Sequence, residues 1–306
     1  NKNKVSLSLF QIFKEINKYK PEVVFTTITN VNLLLCFLKA FFLFNFKLII
    51  REANILSLNS KHDYYLIKLF LVKYLYRFSN RIVCISKAVQ KDLLQQYKIK
   101  INKTKVIYNP INTQQILNKI KDQNKINDVT NFLNNKSLNS NKIIISIGKF
   151  SYQKGFDILI ESMKYVELKN VFLIIMGIGN KQKFQNLIKF YKLENKILLL
   201  DFDINPYVLL NKSSLYVCSS RYEGFGNTIL ESLFLGLPVL STPCHNGTNE
   251  IINNLEYCKI LENFEPKEMG KAITKIISST SSNFKYKFEK KDYNLSSIVQ
   301  SYESLI

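Results

Sequence analysis

The 306-residue chain is long enough for two ordinary domains, and 46% hydrophobic residues exclude a disordered chain. Its 43 Lys and Arg against 23 Asp and Glu leave a net charge of +20, which fits an anionic membrane face, nucleic acid, or lysines spread by a biased genome. Five scattered cysteines without a Cys-x-x-Cys pair, and only two histidines, speak against a zinc site or a disulfide framework and fit a reducing cytoplasm.

Asn1-Lys2-Asn3-Lys4 leads into an amphipathic stretch with no secretion-signal pattern and no initiating Met, so the chain is expected to begin inside a longer protein. A helix is expected over 9–18, a strand over 22–27, a helix over 32–42 and a strand over 47–51, which is a βαβ rhythm. The run 31–50 is mostly apolar, but Lys39, Asn45 and Lys47 interrupt it, and a buried helix followed by a buried strand explains it better than a membrane span. Helical periodicity returns over 62–78, a buried strand follows over 81–85, and Ser86 stands at the N-cap of a helix over 87–97. A strand over 105–108 ends at Asn109-Pro110.

The stretch after Thr113 is rich in Asn, Lys, Gln and Ser, so 114–141 reads as a linker between a first domain, 1–113, and a second, 142–306. In the second domain strands are expected over 143–147, 171–176, 197–200, 215–219 and 238–241. Helices alternate with them over 156–166, 181–191, 206–211 and 228–235, and further helices follow, the last a candidate to pack back on the first domain. The fold class is α/β, with two parallel sheets.

Gly148-Lys149-Phe150-Ser151-Tyr152-Gln153-Lys154-Gly155 directly follows a buried strand, where α/β sheets place ligand-binding loops. Its glycines allow close backbone approach and its lysines supply compact charge for a diphosphate. After the strand at 215–219 comes a loop with Glu223, Gly224, Phe225, Gly226 and Asn227, then a helix opened by Thr228 and holding Glu231. Residues eight apart on one helix are rotated by about 80°, so Glu223 owes its aim to the loop. The two carboxylates can face one crevice, the intervening amides and the helix N-terminus can meet anionic oxygens, and a carboxylate suits a ribose diol.

These motifs, with Gly236-Leu237-Pro238-Val239 and Gly177-Ile178-Gly179, resemble those of the GT-B-fold retaining glycosyltransferases of family 4, a class that includes lipopolysaccharide-core, O-antigen and lipid-linked-oligosaccharide sugar transferases. Ile50-Arg51-Glu52-Ala53-Asn54, Ser86-Lys87 and Tyr108-Asn109-Pro110 resemble landmarks of the same family in its first domain. The resemblance implies two Rossmann-like domains facing a cleft, the first incomplete at its start, and transfer of a hexose or N-acetylhexosamine, from a UDP-sugar by preference, to a glycan or lipid-linked saccharide. It implies that Lys149 and Lys154 bind the donor diphosphate and Glu231 the ribose hydroxyls. Gly148 and Thr228 belong to the same donor site, while Glu223 and the amides of Gly224, Phe225, Gly226 and Asn227 hold the transferred sugar. Glu223, Lys154 and Lys149 are the expected catalytic groups, with neither cofactor nor metal required. The family more often has Arg where Lys149 stands, which removes bidentate phosphate binding, and Pro where Gly226 stands.

Asp201-Phe202-Asp203 has the form of a metal-binding Asp-x-Asp motif, but its place after a strand and beside Asn205-Pro206-Tyr207 matches a loop near the base of the nucleotide. Gly177-Ile178-Gly179 lacks the third glycine of a dinucleotide fingerprint, and His245 stands alone as an acid-base group. Two rival readings are a non-catalytic protein that binds nucleotide sugars and a basic nucleic-acid-binding protein; no aromatic-interleaved basic stripe supports the second, so nucleic acid is not expected as a partner. The charge and the resemblance together favour attachment to the inner face of the membrane.

Overall fold

The computed structural model describes residues 2–42, 44–58, 65–121, 142–202, 205–244, 247–253, 255–279, 287–288 and 291–306. The chain divides into two compact units, one of Asn1–Pro110 with Leu295–Ile306 and the other of Ile111–Asn294.

The first unit holds β1 (Val23–Thr26), β2 (Lys47–Glu52), β3 (Arg81–Cys84) and β4 (Thr104–Val106), all parallel and in the order β1-β2-β3-β4. Helices α1 (Lys2–Tyr19), α2 (Thr29–Phe41), α3 (Tyr65–Leu75) and α4 (Lys87–Gln96) alternate with the strands. The apolar run at 31–50 resolves into α2 and β2, with Cys36, Leu38, Leu48 and Ile50 buried. No helix among the described residues is long and apolar enough to cross a membrane. Ser86 caps α4 as expected, its hydroxyl accepting from the Val89 amide at 3.2 Å.

Two elements depart from the periodic reading. The strand expected at 105–108 closes at Val106, because Asn109 turns to accept a hydrogen bond from Arg51, which also donates to Thr27 at 2.8 Å. Among the described residues the helix expected over 62–78 is α-helical over α3 and tightens into a 3-10 turn at Tyr76–Phe78, where the buried Tyr76 hydroxyl donates to Glu52 at 2.8 Å. Residues 61–64 lie outside the described residues.

Glu52 is wholly buried at the end of β2 and also accepts from Thr29 at 3.0 Å and from the Ala53 and Asn54 amides at 3.2 and 3.3 Å. A buried carboxylate is tolerable only with such partners, and here they fix the loop after β2. The last helix, Leu295–Glu303, belongs to this unit: Ile298 and Leu305 pack with Ile49, Val83 and Ile107.

The second unit holds six parallel strands: β5 (Lys142–Ile147), β6 (Val171–Gly177), β7 (Ile197–Asp201), β8 (Leu215–Cys218), β9 (Val239–Ser241) and β10 (Cys258–Ile260), in the order β10-β9-β8-β5-β6-β7. Every residue of β6 is buried, as a central parallel strand covered on both faces requires. The helices are α5 (Thr113–Ile120), α6 (Phe156–Ser162), α7 (Gln182–Phe190), α8 (Tyr207–Lys212), α9 (Asn227–Phe234), α10 (Gly247–Ile252) and α11 (Pro266–Ser279). The stretch read as a linker begins with α5, capped by Asn112 and part of this unit, and 122–141 lie outside the described residues. Strand β10 and helix α10 were not anticipated, since three and six residues are too few to display a period.

Candidate functional site

The order of the second sheet reverses beside β5, between β8 and β6, and the loops that leave β5 and β8 emerge at the carboxyl ends of these neighbouring strands. Open α/β sheets bind ligands at such a switch point. Both motifs singled out in the sequence lie in these two loops.

The loops are bonded to each other through the main chain and side chains. The Arg221 amide donates to the Gln153 carbonyl at 2.7 Å, Gln153 Nε2 to the Tyr222 carbonyl at 3.1 Å, and the Ser219 hydroxyl to the Lys154 carbonyl at 2.8 Å. Arg221 adds a bidentate pair with Asp157 at 2.9 and 2.7 Å and lies over the Tyr152 ring, 4.0 Å from its centre. Burial alone would raise the Asp157 carboxyl, but the Arg221 bonds outweigh it and hold the group below its usual range.

Within this frame Lys154 and Glu223 meet, Nζ to Oε1 at 2.5 Å, and the Ser220 hydroxyl donates to the same oxygen at 2.7 Å. Burial opposes the ammonium charge of Lys154, but the Glu223 carboxylate and the neighbouring Cys218 overcome that cost and raise its pKa, so the amine stays charged throughout the neutral range. Two buried thiols, Cys218 and Cys244, neighbour the pair; the nearness of Cys218 and burial push Cys244 up, and its Sγ lies 3.3 Å from the Thr248 hydroxyl.

Gly148 makes room for this lysine. A Cβ at that position would stand 2.8 and 2.9 Å from the Lys154 Cε and Cδ atoms. Because the obstacle is a flexible side chain, Gly148→Ala is expected to fold normally and to displace the amine. Turnover should fall at least about tenfold with the melting temperature unchanged, and an unaltered kcat would show that the position of the amine does not matter.

Gly177 is explained in the same way. A Cβ there would stand 1.9 Å from the Gly148 carbonyl oxygen, so this glycine serves the approach of two backbones rather than a dinucleotide.

Lys149 is exposed, in contrast to the half-buried Lys154. Phe225 is 2% exposed and packs its ring against Tyr293 with centroids 5.9 Å apart, so only its main chain remains for a ligand. Thr228 stands in the first turn of α9, where its carbonyl accepts from the Ser232 hydroxyl at 2.7 Å. Gly226 stands at the N-cap of α9 with φ +91°, a conformation proline cannot adopt, which accounts for glycine at this position. The helix therefore begins at Asn227, one residue before the expected Thr228.

Glu231 forms a second group, apart from the ion pair. It accepts from the Tyr207 hydroxyl at 3.0 Å, and Lys119 lies over the Tyr207 ring, 5.6 Å from its centre. Burial raises the Glu231 carboxyl, while the Tyr207 bond and the Lys119 charge pull it partly back. Tyr207 opens α8, directly after the loop expected near the base. Lys119 carried no sequence signal, because it lies on a helix far along the chain from Glu231.

Asp201 pairs with Lys181 at 2.9 Å, and Asp203 and His245 lie outside the described residues. Among the described residues no group of three His, Cys, Asp or Glu side chains is placed to hold a metal ion.

The family model for glycosyl transferases group 1 matches residues 128–293, and that for glycosyltransferase family 4 matches residues 7–115. An uncharacterised glycosyltransferase of Methanocaldococcus jannaschii is 32% identical over 259 residues, covering 81% of this chain and 62% of the relative. The N-acetylgalactosamine-N,N'-diacetylbacillosaminyl-diphospho-undecaprenol 4-alpha-N-acetylgalactosaminyltransferase of Campylobacter jejuni is 32% identical over 199 residues, covering 64% of this chain and 50% of the relative. The chain thus spans between half and two thirds of the length of these curated relatives. Among solved structures, Anabaena HepE in complex with UDP superposes with a TM-score of 0.79 at 18% identity, over 97% of this chain and 80% of the other. At that identity the likeness concerns the fold, which is GT-B.

Proposed function

The chain belongs to the glycosyl transferases of group 1, family 4, and we propose on that premise that it retains the anomeric configuration while moving a hexose or N-acetylhexosamine from a UDP-sugar to a glycan or lipid-linked saccharide. The observation that carries this reading is the charged Lys154 held by Glu223 at the switch point of the second sheet. A UDP complex of the structural neighbour and the diphospho-undecaprenol-linked substrate named for the Campylobacter relative support the donor and acceptor classes.

In the proposed step the bond between the sugar C1 and the diphosphate oxygen breaks, and its electron pair stays on the phosphate. The acceptor hydroxyl forms its bond to C1 on the same face and passes its proton to the departing phosphate. Negative charge grows on the diphosphate as the transition state forms, and a preorganised ammonium stabilises it there more than in the ground state. Lys154 supplies that charge from within the protein, Lys149 adds its own from the loop's exposed side, and the main chain of 224–227 at the start of α9 receives the sugar and phosphate oxygens. On this reading no metal is needed. The setting is the cytoplasmic side of a membrane, where the lipid-linked acceptor lies.

Glu231 accepts the ribose hydroxyls in its ionised form, and Tyr207 and Lys119 orient it. Glu231→Ala is expected to weaken UDP binding about tenfold or more by calorimetry. For the native protein the sign follows from the raised carboxyl: affinity climbs as pH rises through the Glu231 pKa and is lost on acidification at a higher pH than an ordinary glutamate would give. UDP affinity that is flat between mildly acidic and neutral pH, together with an unaffected Glu231→Ala variant, would remove Glu231 from the site.

A further inference from the structure

The turn Tyr152–Lys154 is three residues of 3-10 helix between an extended Ser151 and a left-handed Gly155. So short a turn has little stiffness of its own, and the direction of the Lys154 side chain depends on what the turn is fastened to. All three of its carbonyls accept from the loop after β8: Tyr152 from the Arg221 guanidinium at 2.7 Å, Gln153 from the Arg221 amide at 2.7 Å and Lys154 from the Ser219 hydroxyl at 2.8 Å. Two of these bonds come from one residue.

The Arg221 side chain reaches further along the same segment. Its Nη1 also donates to one Asp157 oxygen at 2.9 Å and its Nη2 to the other at 2.7 Å, so the guanidinium spans from the first residue of the turn to the first turn of α6. The guanidinium carbon lies 4.0 Å from the centre of the Tyr152 ring, and the side chain is only 19% exposed. A planar fork can hold a carboxylate and a carbonyl at fixed angles, which a compact ammonium cannot. Asp157 balances the charge, so Arg221 has little field of its own to offer a diphosphate.

We propose that Arg221 is a positioning residue for the Lys154 ammonium: by holding two carbonyls of the turn and the Asp157 carboxylate, it fixes where the amine stands beside Glu223. Arg221 precedes Glu223 by two residues, so one short segment sets both members of the ion pair. A misplacement of about 1 Å at a reacting centre can cost about 100-fold, so a loosened turn is expected to show at the diphosphate before it shows in folding. The role rests on the proposed contact of Lys154 with the diphosphate, and its test therefore includes a chain without that lysine.

The complete 306-residue chain, Arg221→Gln, Lys154→Ala and the double variant are titrated with UDP and with UMP by calorimetry, and their melting temperatures are recorded. Arg221→Gln should weaken UDP about fivefold or more, leave UMP within about twofold and keep the melting temperature within about 3 °C. A merely structural role would weaken both nucleotides together. In the Lys154→Ala background the same substitution should change UDP by less than about twofold, because the effects of residues that act through one group do not add. Arg221→Lys, which keeps the charge but not the fork, should recover part of the loss. If Arg221→Gln melts early, Arg221→Lys replaces it in the cycle, with a loss of about threefold for UDP and none for UMP. UDP affinity unchanged by either substitution, equal losses for UDP and UMP, or a full loss in the Lys154→Ala background would each overturn the proposal. If instead Lys154→Ala binds UDP as the native chain does, the donor site itself is wrongly assigned, and the role of Arg221 falls with it.

Discussion

Lys154→Ala is expected to lower kcat for sugar transfer about 100- to 1,000-fold, the loss typical when one preorganised group is withdrawn from developing negative charge. Its amine is the charged group that both loops are built around: Gly148 leaves it room, Glu223 holds it, and its own carbonyl is bonded to Ser219. An interaction made chiefly in the transition state appears in kcat, so KM for the donor should change much less. Lys154→Arg keeps the charge but needs more space beside Gly148, and partial rescue is expected. The variant retains its fold, because the side chain is not part of the apolar core. A kcat within about threefold of the native value would remove the lysine from the chemistry.

The second large effect is on stability. Gly155 has φ +60°, and a Cβ there would stand 2.0 Å from the Ser219 carbonyl oxygen, a backbone atom at the end of β8. Alanine in the left-handed region costs about 1 kcal/mol by itself, and the collision can be relieved only by separating the two loops. Gly155→Ala should therefore destabilise the second unit by about 2–4 kcal/mol, a fall of roughly 5–15 °C in melting temperature, and should abolish UDP binding with it. The contrast with Gly148→Ala is the test of the mechanism. One glycine faces the end of a flexible side chain and the other faces backbone, so the first should affect turnover and the second folding. Equal melting temperatures for the two variants would contradict this distinction.

The parts of the site that were legible in the sequence are those built within one strand–loop–helix segment. Gly148, Lys154 and Gly155 follow β5, and Glu223 to Glu231 follow β8, so a buried strand, a glycine and the start of a helix announce each loop. That Lys154 pairs with Glu223 was not legible, since 69 residues separate them and only the neighbouring of β5 and β8 brings them together. The same holds for Arg221 with Asp157 and for Lys119 beside Tyr207 and Glu231. Their residue types are ordinary, and no local period marks them.

At Phe225 the expectation concerned only the amide; what the sequence did not announce is that the ring is an apolar anchor that holds the loop to Tyr293. The alternation of helix and strand identified both parallel sheets but does not say where the last helix packs; that helix, Leu295–Glu303, read as a candidate to pack back on the first domain, lies against Ile49, Val83 and Ile107 in the first unit.

The account turns on the claim that residues 148–155 and 219–231 bind a nucleoside diphosphate through Lys154. Calorimetric titration of UDP, UMP and uridine into the native chain and into Lys154→Ala tests it most directly. Affinity should rise from uridine to UMP to UDP in the native chain, and the step from UMP to UDP should collapse in the variant while uridine binding is unchanged. UDP binding no tighter than UMP in the native chain, or a UMP-to-UDP step that survives loss of the lysine, would contradict the assignment.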